Sequence, residues 1–219
     1  MTRSGPPWIA PAGPSAFFSE RGFQCVTHAT GDRGVREALD TYAAVGAAPR
    51  VRHRIEHIET LQPADLPRFA AQGVVASMQA QHMMWLHPDR TDNWSARLGD
   101  DRCDRAFLIR SLRESGATIA LGSDWPVARF DPRVGMAAAR LRRPLGHCER
   151  RAYDDQSLDG LAALEGYTIG AALTGGDGDR LGRLIPGYGA DVTVMADDPV
   201  DIDGDELVKA AGSPHRRRR

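Results

Sequence analysis

Four groups of side chains in this sequence could do acid–base or metal chemistry, and each follows a short apolar run: His28, His57, Gln79 with His82, and Asp124. Neutral imidazole and carboxylate are standard ligands for zinc and similar divalent ions, so two histidines and an aspartate arriving from different strands would make a metal site. Taken singly, each has an ordinary reading. A lone histidine at a strand end is more often a structural or surface residue. Asp32 and Asp124, beside strand-to-helix turns, could both be helix caps, and for Asp32 the cap is the preferred reading. His53, His87, His147 and His215 have no comparable positional argument, and Met83-Met84-Trp85 reads as the anchor of a loop.

The elements that would position these groups alternate regularly. Phe23–His28 reads as a strand, and Val35, Ala38, Leu39 and Tyr42 then recur at helical spacing. Arg54–Ile58 is a second strand, followed by a helix marked by Leu66, Phe69 and Ala70 that stops at Gly73. Val74–Met78 is a third. A polar loop from His82 to Asp104 leads to a helix marked by Leu108, Ile109 and Leu112 and closed by Gly116. Thr118–Ser123 is the fourth strand, with helices expected over Pro132–Arg143 and Leu158–Thr168. Strands alternating with helices at this spacing pair in parallel through right-handed crossovers, as a doubly wound sheet or a (β/α) barrel. In both, the active site lies at the C-terminal ends of the strands, where all four reactive groups fall. Along the second strand, alternation places His53, Ile55, His57 and Glu59 on one face and Glu56 on the other.

Four segments follow: an irregular stretch over 1–20 rich in Pro, Gly and Ser, a partial (β/α) barrel over 21–174, a β segment over 175–208 around Asp191–Met195, and a basic tail over 209–219. GGDGDRLG is a weak, single match to a calcium-binding nonapeptide and reads as a surface loop. Lys plus Arg (28) balance Asp plus Glu (29), which gives no global pull towards nucleic acid or an anionic membrane. No signal peptide or membrane span is legible, and the reading is cytoplasmic. Cys25, Cys103 and Cys148 are widely spaced and odd in number, against a disulfide framework or thiolate zinc site.

The stretches HATGDRGVREALD (28–40), RHRIEHIET (52–60), RFAAQGVVASMQAQH (68–82), SGATIALGSDWPVA (115–128) and GRLIPGYGADVTVMADDP (182–199) resemble, in order, consecutive motifs of amidohydrolase family 3, YtcJ-like branch. The resemblance implies a (β/α)₈ barrel with a small accessory β-sandwich, and hydrolysis of amide-type C–N bonds by metal-activated water. It implies His28 and His57 as ligands after barrel strands five and six, Asp124 as the strand-eight aspartate that approaches the metal and takes the proton from water, and His82 as a substrate-binding residue. The implied cofactor is a divalent metal, zinc foremost, with one or two ions in the complete site. In that family an H-x-H pair and a bridging lysine come from earlier strands, and nothing before His28 has this form. The expectation is therefore the C-terminal half, strands five to eight, acting on a small amide-type substrate and associating with an N-terminal half or with itself. The alternative is an inactive remnant or interaction module that keeps the ligands by descent. A small-molecule-binding doubly wound domain is the third reading, and it lacks any glycine-rich phosphate loop.

Overall fold

The computed structural model describes residues 13–46, 52–147 and 154–209; Cys148, His215 and the tail beyond Lys209 lie outside this range. Its centre is a parallel sheet of four strands in the order β1-β2-β3-β4: β1 (Val26–Ala29), β2 (Arg54–His57), β3 (Val75–Met78) and β4 (Ile119–Leu121). Strand order never reverses within the sheet, unlike that of a doubly wound fold.

Helix α1 (Gly13–Ser19) precedes β1, which corrects the irregular stretch expected there for the part of it that is described. The first crossover is α2 (Asp32–Val45), whose buried Val35, Ala38, Leu39 and Tyr42 form the predicted stripe. Its N-cap is Gly31 rather than Asp32. Asp32 instead opens the helix as a nearly buried acceptor: it receives the Arg33 N–H at 2.9 Å and the Gln62 amide at 2.8 Å. The cap expectation is corrected accordingly; the carboxylate ties the first turn to the segment after β2.

Helix α3 (Leu66–Gln72) ends, as expected, where Gly73 takes a left-handed conformation (φ +65°). The polar loop after β3 holds more structure than its composition suggests: a 3₁₀ turn over Ala80–Trp85, then α4 (Asn93–Leu98) and α5 (Asp100–Cys103). Asp92 caps α4 by accepting the Ser95 N–H at 2.9 Å. Helix α6 (Ile109–Glu114) leads into β4, and α7 (Pro132–Leu141), α8 (Gly160–Tyr167) and α9 (Ile169–Thr174) follow it. A last helix, α10 (Gly204–Lys209), packs on α7.

One face of the sheet carries Thr27, Ile55, Ala76 and Ile119 in register. The helices cover it: Thr27 Oγ1 lies 2.6 Å from the Tyr42 hydroxyl of α2, and Ile55 and Ala76 are fully buried. The opposite face carries His28, Glu56, Ser77 and Ala120 in register. The run Asp191–Met195, expected as an appended β element, forms no strand; only Val192 and Met195 make isolated bridges. A single extended segment holds its shape only against a neighbouring edge, and Val194 stands 60% exposed without one.

Candidate functional site

The C-terminal ends of β1 and β2 bring two of the predicted residues into contact. The His28 and His57 rings meet edge to face, with centroids 4.4 Å apart. His82, in the 3₁₀ turn after β3, stacks on His57 at 5.7 Å, and Trp85 stacks on His82 at 4.9 Å. His57 and His82 are each only 7% exposed, whereas His28 lies open to solvent. Asp124, exposed in the turn after β4, is close enough to His57 to favour its charged form. Gln79, grouped with His82 in the sequence, is buried and donates its amide to Glu56 Oε2 at 3.1 Å.

The alternation expected along β2 fails at its end. Ile55 faces the helices and Glu56 the opposite face, but His57 and Ile58 take left-handed backbone angles (φ +75° and +51°), which break the two-residue period. Asp124 shares this geometry (φ +55°). Such conformations cost about 1–3 kcal/mol each for residues other than glycine and collect where function requires them. Three of the six such residues among the described ones, His57, Ile58 and Asp124, lie at the end of β2 or just beyond β2 and β4, beside the candidate ligands; Arg90, Phe107 and Arg142 lie elsewhere.

Glu59 belongs to the same cluster. Its Oε1 lies 3.7 Å from His82 Nδ1, and its Oε2 accepts the Trp94 indole N–H at 2.8 Å. Ligand atoms of His57, Glu59 and His82 all lie within 4.8 Å of one another. The sequence places Glu59 two residues beyond His57, but its approach to His82 depends on the loop after β3 and has no local signature.

Burial pushes the His57 imidazole below its ordinary value of 6.5, and the His28 and His82 rings add to this against the pull of Asp124 and Glu59. Burial would raise the Glu59 carboxyl; the facing His82 ring and the Trp94 N–H outweigh it and hold it below its ordinary value. The result is a neutral imidazole beside an ionised carboxylate, the protonation states in which these groups bind metals. His57 Nδ1 and His82 Nε2 are buried without a hydrogen-bond partner. The orphaned His57 nitrogen, with the His82 Nδ1 and Glu59 Oε1 pair beside it, fits a divalent ion.

Two cavities flank the cluster. A groove of about 930 Å³ runs along Met84, Trp85, Trp125, Val127 and Phe130, most of them well exposed. A smaller one, about 260 Å³, reaches Glu59 and His82 between Trp85, Trp94 and Phe107. His53 lies apart from the site, buried and stacked on Tyr42 at 4.8 Å. Its Nδ1 accepts the Cys25 N–H at 3.1 Å, and its Nε2 lies 3.1 Å from the Ser19 hydroxyl. Among the described residues, no helix is long and apolar enough to cross a membrane.

Known proteins resemble this chain in sequence and in fold. The protein LONG AFTER FAR-RED 3 of Arabidopsis thaliana is 35% identical over 185 residues, covering 80% of this chain and 30% of its own length. The putative amidohydrolase YtcJ of Bacillus subtilis (strain 168) is 29% identical over 189 residues, covering 86% of this chain and 35% of its own. The crystal structure of an uncharacterized metal-dependent hydrolase from Pyrococcus horikoshii OT3 superposes with a TM-score of 0.71 at 26% identity, over 84% of this chain and 36% of that one. The chain thus spans about a third of the length of these relatives. A model of the amidohydrolase family matches residues 16–212, and the chain belongs to that family.

Proposed function

We propose that this chain supplies the C-terminal half of a metal-dependent hydrolase that cleaves amide-type C–N bonds with metal-activated water. The observation that carries the reading is the 4.4 Å contact between His28 and His57 at the ends of adjacent parallel strands, with Asp124 in electrostatic reach. In this reading the four strands are strands five to eight of a (β/α)₈ barrel, and an N-terminal half or a second copy completes the site.

His28, His57 and Asp124 would hold the ion, zinc foremost. A bound divalent ion lowers the pKa of water from about 15.7 towards about 7. The Asp124 carboxylate accepts the water proton and delivers it to the leaving nitrogen, acid–base work typically worth about 10²–10⁴ in rate. Its exposed position in the turn after β4 leaves it free to swing between the two partners. His82, held between His57 and Trp85, orients the substrate. The apolar groove beside Trp85 suits a small amide with an apolar body.

The test is hydrolysis of a panel of N-acyl amines by the zinc-loaded protein, assayed with its N-terminal complement. Turnover should fall by about 10²–10⁴ in Asp124→Asn, the share assigned to proton transfer. Turnover indifferent to Asp124→Asn refutes the reading. Absence of both zinc and turnover in the complemented protein favours the interaction module instead.

A further inference from the structure

We propose that this chain by itself binds one divalent transition-metal ion through His57, Glu59 and His82, a donor set different from the His28–His57–Asp124 set of the proposed hydrolase. The inference does not depend on that reading, although the two sets share His57.

Three observations meet at this point. The first is proximity: one ligand atom from each of the three residues lies within 4.8 Å of the other two, and neither His28 nor Asp124 joins the group. Tetrahedral zinc with metal–ligand bonds of about 2.0–2.1 Å sets its donors roughly 3.4 Å apart. The 3.7 Å between Glu59 Oε1 and His82 Nδ1 is already near that value.

The second is unmet bonding. His57 and His82 are each more than nine-tenths buried, and each has a sealed nitrogen with no hydrogen-bond partner. A buried polar atom left unsatisfied costs about 1–3 kcal/mol. On His57 the sealed atom is Nδ1; on His82 it is Nε2, whereas Nδ1 faces Glu59, so the orphan that counts towards a cation beside the carboxylate is that of His57.

The third is the surrounding shell. The Trp94 indole holds Glu59 Oε2 at 2.8 Å and leaves Oε1 to face the cluster, the outer contact that fixes a ligating carboxylate. Trp85 stacks on His82 and fixes its ring. Two imidazoles and one glutamate are a known zinc donor set that leaves a fourth position open. Here that position would be filled from the 260 Å³ cavity between Trp94 and Phe107, by water or a small anion.

Cobalt(II) titration of the purified 219-residue chain, followed by its visible d–d absorption and checked by zinc competition, tests the site. One ion per chain is expected. Glu59→Gln and His82→Asn should weaken binding by more than about 100-fold, and Trp94→Phe, which removes only the outer contact, by about 10–100-fold. Each of these losses should exceed those of His28→Asn and Asp124→Asn. The opposite order would place the ion in the proposed hydrolase centre and overturn the inference. No binding by the wild-type chain also overturns it, while leaving the hydrolase reading, tested on the complemented protein, intact. If Glu59→Gln fails to fold, Trp94→Phe decides, since it leaves all three ligands in place.

Discussion

Gly170→Ala probes how closely α9 presses on the strand that leads to Asp124. Gly170 lies in α9, and a Cβ built there would stand 2.1 Å from the backbone oxygen of Ile119 in β4, with the Glu165 oxygen of α8 at 3.2 Å. Opening the 2.1 Å gap to the 3.4 Å of ordinary contact takes a shift of about 1.3 Å. Neither atom is the end of a flexible side chain, so helix and strand must move as units. Overpacking of this kind costs about 1–3 kcal/mol, and a backbone clash belongs at the upper end. Alanine recovers up to about 1 kcal/mol through helix propensity, leaving roughly 2 kcal/mol of net destabilisation. For a domain of this size that is a fall in Tm of about 4–8 °C. Thermal melts followed by circular dichroism measure it, with Ala171→Gly on the exposed side of the same helix as the control, expected to cost only about 1 kcal/mol. A Gly170→Ala protein that melts at or above the wild type would refute the close approach of α9 to β4.

Three further outcomes follow from the same geometry. Phe69, fully buried in α3 against the sheet, should cost about 3–5 kcal/mol when cut to alanine, read from the urea midpoint at constant m-value. Asp32→Ala strips the acceptor from the Gln62 amide and the Arg33 N–H and should cost about 1–3 kcal/mol by the same measurement. His53 gives a pH dependence: burial lowers its pKa from 6.5, so as pH falls below about 6.5 the unfolded chain takes up a proton that the folded chain resists. Its contribution to stability is therefore full above about pH 6.5 and lost as pH falls towards the folded value; urea midpoints against pH should slope less steeply below 6.5 in His53→Gln than in the wild type.

The four strands and the principal helices were legible because their signals are local. Val35, Ala38, Leu39 and Tyr42 carry the helical period in sequence and are the buried stripe of α2 in space. The expected helix over Pro132–Arg143 is α7, opened by the Asp131 cap and by Pro132 in its first turn. What could not be read depends on partners distant in sequence. The extended run at Asp191–Met195 has strand composition but pairs only through isolated bridges at its ends. The loop after β3 looked irregular because α4 and α5 are too short to show a period; they are fixed by the Asp92 cap and by Trp94 reaching Glu59. The same long-range contact is why the sequence shows Glu59 only as sharing a strand face with His57. Its place beside His82 is set by the loop's path.

Exposure across the inner sheet face also separates the two donor sets. His28 on the edge strand β1 and its neighbour Val26, 48% exposed, stand open, while Ser77 at 8% and Ala120 at 3% are sealed further along the same register. Asp124, beyond β4, is open again. His57 sits at the boundary, one side against the exposed His28 ring and the other against the buried His82. Donors already desolvated and held by packing cost little further ordering when an ion binds, whereas exposed side chains must first be fixed. The sealed set of His57, Glu59 and His82 is therefore the one this chain organises with its own packing. His28 and Asp124 need order supplied from outside, as a complementary half of the barrel would supply it. His57, common to both sets, is the residue through which occupation of one centre would be felt at the other.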